Sequence, residues 1–137
     1  FNQQPLNIFF KDRLENLNTT KNKGFVNLVY GILSKGLLSN KFLTNTGLLK
    51  FKKNINYKIK NLSKIKKIDK ICKKYGYSFE EFMFALAHSK KYVDITLCGI
   101  SSSEHLNKLD FKKIFNNNLF NKHLNEMKKY EDIKNIL

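Results

Sequence analysis

A chain of 137 residues, 42% hydrophobic and with twelve phenylalanines, can bury a core as one domain over 1–137. No apolar run reaches the roughly 18–20 residues of a membrane span, and the polar stretch FNQQPLN does not read as a secretory signal, so a cytoplasmic protein is expected. The formal net charge of +15 rests on 26 basic residues of which Arg13 is the single arginine; nucleic-acid interfaces lean on arginine, so the lysines read as a solvated coat and nucleic acid is not the expected partner.

Residues 1–7 read as a strand end running into a loop closed by Pro5. Ile8, Phe9, Leu14 and Leu17, with charges between them, predict a helix over 8–22 that Gly24 ends. FVNLVYGIL, 25–33, predicts a strand buried on both faces, the pattern of a parallel sheet. SKGLLSNKF, 34–42, leaves it through Gly36. Residues 43–60 read as a long loop with room for a short turn of helix. Leu62, Ile65, Ile68, Ile71, Cys72 and Tyr75 then form one apolar stripe, a helix over 61–75 stopped by Gly76.

Ser78 and Glu81 match a capping box that starts the next helix, SFEEFMFALAHSK, with Phe79, Phe82, Met83 and Leu86 facing inward. VDITLCG, 93–99, is the next buried strand. Ser101 and Glu104 form a second capping box, for a helix through Leu106 and Leu109 that continues to Ile114 and Phe115. The asparagines at 116–118 break it, and HLNEMKKYEDIKNIL forms a C-terminal helix. Strands that alternate with helices argue for parallel βα units. Cys72 and Cys98 form no CxxC pair and no cluster with His88, His105 or His123, so they read as buried free thiols in a reducing compartment, with no metal site.

In a parallel barrel the loops after the strands build the active site, and the turns after the last strands commonly hold phosphate. GISSSE, 99–104, has that form. Gly99 lets the backbone come close to a ligand, and Ser101, Ser102 and Ser103 offer hydroxyls and N–H groups at a helix start. The competing reading is that Ser101 only caps the helix. Tyr30, near the end of the other strand, either stacks on a flat ring or belongs to the core. Gln3 and Asn7 flank the first turn and suit hydrogen bonds to an amide.

These segments resemble, in order, the aldo-keto reductase family. FNQQPLN resembles the strand-six segment, with Gln3 followed four residues later by Asn7. GFVNLVYGILSKGLLSNKF resembles the strand-seven signature, Tyr-Ser-Pro-Leu then Gly-Leu-Leu-Thr-Gly-Lys, here Tyr30-Gly31-Ile32-Leu33 and Gly36-Leu37-Leu38-Ser39-Asn40-Lys41. YGYSFEEFMFALAHSKKYVDITLCGISSSEHLNKL resembles the closing segment around strand eight. The resemblance implies an α/β fold, a partial (β/α)8 TIM barrel comprising its C-terminal half, and NAD or NADP as cofactor. Tyr30 would stack on the nicotinamide and Gln3 would hold its carboxamide. Leu33 and Gly36 would line the pyrophosphate path, and Gly99, Ser101 and Ser102 would surround the adenosine phosphate.

His105 and Leu109 correspond to the family's adenine-contacting Gln and Asn; Leu109 offers no hydrogen bond. Gly31 and Ile32 replace Ser and Pro. The family's catalytic Asp, Tyr, Lys and His come from the first half of its barrel and have no counterpart here, so the catalytic set within this chain is none. The expected partners are the nicotinamide cofactor, a small carbonyl substrate and the missing N-terminal half. The expected activity is carbonyl reduction by hydride transfer. A second expectation is a non-catalytic, degenerate reductase-fold binding module, which Gly31, Ile32 and Leu109 favour. A third, a basic RNA-binding domain, has no glycine-rich or aromatic RNA-binding signature behind it.

Overall fold

The computed structural model of the chain describes residues 1–8, 13–36, 38, 39, 55–100 and 102–134, with side chains for all of these except 35 and 55–61. Three short strands, β1 (Asn2–Pro5), β2 (Asn27–Tyr30) and β3 (Ile95–Thr96), form a parallel sheet in the order β1-β2-β3. Gln3 lies opposite Leu28, Pro5 opposite Tyr30, and Leu28 opposite Ile95. Parallel neighbours need crossovers. The helix α1 (Arg13–Asn22) supplies the first. The helices α2 (Ile55–Lys74) and α3 (Phe79–His88) lie in the second. Four short helices follow: α4 (Ser103–Asn107), α5 (Phe111–Ile114), α6 (Asn117–Met127) and α7 (Glu131–Lys134).

The strands are shorter than the apolar runs that announce them, and they are not buried on both faces. Along β2, Asn27 and Val29 are buried while Leu28 is half-buried and Tyr30 exposed. Gln4, opposite Val29, is buried, whereas Gln3 is exposed. In β3, Ile95 is 40% exposed, and Leu97 two residues on is 44% exposed. Successive side chains of a strand point to opposite faces. One face of the sheet therefore meets the helices, and no described helix covers the other. The apolar residues on it are what made β2 and β3 look doubly buried in the sequence.

The core lies under the helix-facing side and centres on α3. That helix is apolar nearly all round, with Phe79, Phe82, Met83, Ala85 and Leu86 buried, as befits a helix enclosed by others. Ile65, Ile68 and Cys72 of α2, Ile114 of α5, and Phe120, Leu124 and Met127 of α6 pack with it. Tyr77 meets Phe120 edge-on at 5.7 Å, and Phe120 meets Phe82 at the same centroid distance. The capping box is formed: Ser78 Oγ accepts from Glu81 N–H at 3.1 Å, and Glu81 Oε2 accepts from Ser78 N–H at 2.8 Å. Gly76 ends α2 at φ +78°, a backbone suited to glycine, and the Gly76 and Tyr77 amides bond back to the carbonyls of Lys73 and Cys72.

Other boundaries move. The helix expected from residue 8 begins at Arg13 within the described residues, and Ile8 sits in the turn after β1. The long loop expected over 43–60 is helical from Ile55; the spacing Ile55, Ile59, Leu62 extends the stripe upstream, and intervening asparagines masked it. Residues 43–54 lie outside the described residues. The second capping box was expected at Ser101 with Glu104, and Ser101 lies outside the described residues. Within the described residues Ser102 is the N-cap, accepting from His105 N–H at 3.3 Å, and Glu104 pairs with Lys108 at 2.6 Å. The following helix does not run on to Phe115, because Asp110 caps a new one, α5. Asn116 likewise starts α6 by accepting from Leu119 N–H at 3.1 Å, so the asparagines open a helix as well as closing one. The C-terminal helix is divided between α6 and α7.

Candidate functional site

The C-terminal ends of the three strands share one end of the sheet; Tyr30 and the following turns lie at or beyond it, whereas Gln3 is the second residue of β1, opposite Leu28 and two residues short of that end. Gln3 and Tyr30 stand on the uncovered face, Tyr30 as the last residue of the middle strand with 41% of its surface exposed. The adjacent glutamines are separated by the pleat: Gln4 turns toward the helices, where its Nε2 donates to Asn2 Oδ1 at 3.2 Å. Tyr30 is thus not core, and its ring is available to a flat partner.

The turn after β2 is closed by its own backbone. Ser34 N–H donates to Gly31 O at 2.8 Å, and Leu33 O accepts from Gly36 N–H at 2.9 Å and Leu38 N–H at 3.0 Å. Gly31 (φ +67°) and Gly36 (φ +86°) occupy the left-handed region, and Ser34 (φ 47°) does so without being glycine. The Leu33 side chain packs half-buried against the core, so what Leu33 and Gly36 present outward is main chain. Asn7 is buried and donates from Nδ2 to Gly31 O at 3.0 Å, joining the loop after β1 to this turn. It is committed to the protein rather than held open toward a ligand. The sequence signalled the residue and not this role.

Beyond β3, Gly99 is exposed; its φ lies outside the left-handed region, and a Cβ built on it meets nothing within 4 Å. Neither strain nor crowding in the described chain demands glycine there. Ser102 is exposed, its hydroxyl engaged as the cap of the five-residue α4. Ser101 lies outside the described residues. His105 is half-buried at the third position of α4, and Leu109 packs against the core. Cys98, expected to be buried, is exposed beside Gly99; Cys72 is buried, and burial pushes its thiol pKa up. Among the described residues no three His, Cys, Asp or Glu side chains gather as metal ligands, and no helix is long and apolar enough to cross a membrane.

The model of the Aldo/keto reductase family matches residues 1–132. The chain belongs to the aldo/keto reductase family. That membership suggests an oxidoreductase, and the family generally uses a nicotinamide cofactor with carbonyl substrates. Searches of curated proteins and of solved structures returned no match. As an aldo/keto reductase chain it carries an α/β fold with a small parallel sheet, and the matched span takes in β1, β2, β3 and the turns that follow them.

Proposed function

We propose that this chain is the C-terminal, cofactor-binding portion of an NAD(P)H-dependent aldo-keto reductase barrel, with the catalytic groups supplied by a separate N-terminal half. The observation that carries the reading is the placement of Tyr30 on an uncovered, largely apolar sheet face at the end where the strand-following turns gather, with Gln3 on the same face two residues back along the neighbouring strand. A bound nicotinamide would supply hydride to a small carbonyl substrate. The residues here fit such a group: an exposed aromatic ring for stacking, a primary amide able to pair with a carboxamide, and an open approach at Gly99. Tyr30 would hold the ring plane and Gln3 its rotation about that plane. The main chain of the Leu33–Gly36 turn would line the pyrophosphate, with Ser101 and Ser102 beside the adenosine phosphate and His105 near adenine. The buried Cys72 and exposed Cys98, both unpaired, suit a reducing compartment such as the cytoplasm.

Leu109 favours a second reading, a reductase-fold binding module with no catalysis, because the position that meets adenine in the family is here spent on core packing. The two part on cofactor binding. Tyr30→Ala should weaken NADPH binding by about 1–3 kcal/mol, the scale of a base–aromatic stack, and Tyr30→Phe by much less. A fluorescence titration of the full natural chain carrying residues 1–137 reads both. Equal affinity for wild type and both variants removes Tyr30 from the site, and absent binding supports the module.

A further inference from the structure

Tyr30 is 41% exposed on a bare face, and the direction in which its side chain leaves the sheet is set by the backbone beneath it. The β1–β2 ladder reaches that backbone: Leu6 N–H donates to Tyr30 O at 2.9 Å. One peptide further on there is no strand partner, and the Asn7 side chain takes over, with Nδ2 3.0 Å from Gly31 O. The same carbonyl accepts from Ser34 N–H at 2.8 Å, so both of its lone pairs are used. Gly31 stands at φ +67° with nothing within 4 Å of a built Cβ, which leaves hydrogen bonds rather than packing to fix the peptide.

We infer that Asn7 is a positioning residue for Tyr30: by clamping the Gly31 carbonyl it fixes the end of β2 and so aims the Tyr30 ring across the uncovered face. Its consequence for cofactor binding rests on the function proposed above; the clamp itself does not. The donor is what matters. Aspartate has the same size but would set a carboxylate oxygen against a carbonyl oxygen, and histidine keeps an N–H at similar reach.

The test uses the full natural chain labelled with 3-fluorotyrosine, its Tyr30 fluorine resonance assigned by loss in Tyr30→Phe. Asn7→Asp should shift and broaden that line, and Asn7→His should shift it less. Gly31→Ala, an exposed change that strains φ at the other end of the same bond, should move it as well and remains informative where a buried Asn7 variant fails to fold. Ser78→Ala, which weakens a distant helix cap, should lower the melting temperature and leave the line in place. In parallel, Asn7→Asp should raise the NADPH dissociation constant by about tenfold, the equivalent of one hydrogen bond. A Tyr30 line that moves no more in Asn7→Asp and Gly31→Ala than in Ser78→Ala overturns the inference. A line that moves as expected in a protein without measurable NADPH affinity upholds the clamp and overturns the cofactor reading instead.

Discussion

Asn27 satisfies every polar group it owns while fully buried. Its Oδ1 accepts from Asn2 Nδ2 and Thr20 Oγ1, each at 2.8 Å, and its Nδ2 donates to the carbonyls of Leu17 at 2.7 Å and Tyr92 at 2.8 Å. Its backbone N–H donates to Asp94 Oδ2 at 2.9 Å, and Asp94 is also paired with Lys21. One side chain thus ties β1, α1, β2 and the entry to β3 together at the end of the sheet away from the candidate site. The hydrogen bond from Lys21, then that from Asn27 N–H, hold the Asp94 pKa below its ordinary value. A carboxyl with a depressed folded-state pKa adds stability that is full above the unfolded value, roughly pH 4, and is lost as pH falls through the folded value. Asp94→Asn should therefore lower the melting temperature at pH 7 and leave it nearly unchanged well below pH 4. Thermal melts across that range check this; a parallel offset at every pH would show that Asp94 contributes only its shape.

At the scale of elements, Glu81 does more than its sequence signature promised. Besides closing the capping box it accepts from Asp110 N–H at 3.0 Å through Oε1 and lies 3.6 Å from Lys113 Nζ, so one buried carboxylate serves the starts of both α3 and α5. Glu81→Ala would strip acceptors from two part-buried helix starts, and about 2–3 kcal/mol of stability should go with it. Ser78→Ala should cost about 1 kcal/mol. Denaturant unfolding compares the two, and equal losses would mean that the link to Asp110 carries nothing. The local half of this arrangement was legible, because a capping box needs only the spacing Ser78-x-x-Glu81. The Asp110 half was not, since it joins residues 29 apart. The same distinction explains the cap at Ser102: Ser101, Ser102 and Ser103 are equivalent as capping chemistry, and the turn after β3 chooses between them. Parallel order was readable from alternation, whereas the bare face was not, because an apolar strand awaiting a neighbour has the same sequence as one that has found it.

The whole molecule carries two apolar surfaces that its described residues leave open. One is the sheet face with Tyr30, Ile95 and Leu97. The other lies on the helix layer, where Phe111 and Phe115 stack at 6.0 Å, His88 meets Phe115 edge-on at 4.9 Å, and Leu119 is exposed four residues on. Patches of this kind drive association, while a net charge of +15 opposes it between like copies. The balance sets a salt dependence. Near 0.1 M salt the Debye length is about 10 Å, and at 1 M it is about 3 Å, so added salt removes the repulsion while leaving the apolar attraction. Residues 1–137 expressed alone should therefore self-associate increasingly as salt rises, and should reduce no aldehyde with NAD(P)H, since the proposed catalytic half is a separate set of strands. Supplying that half by co-expression should yield a species whose size depends less on salt, because the sheet face is then covered while the helix-layer patch stays open, and which consumes NAD(P)H. Size-exclusion chromatography at low and high salt, with an aldehyde-reduction assay on each peak, decides the matter. A salt-independent, active monomer of the 137 residues would overturn the half-barrel reading, because it would place both the cover for the sheet face and the catalytic groups within this chain.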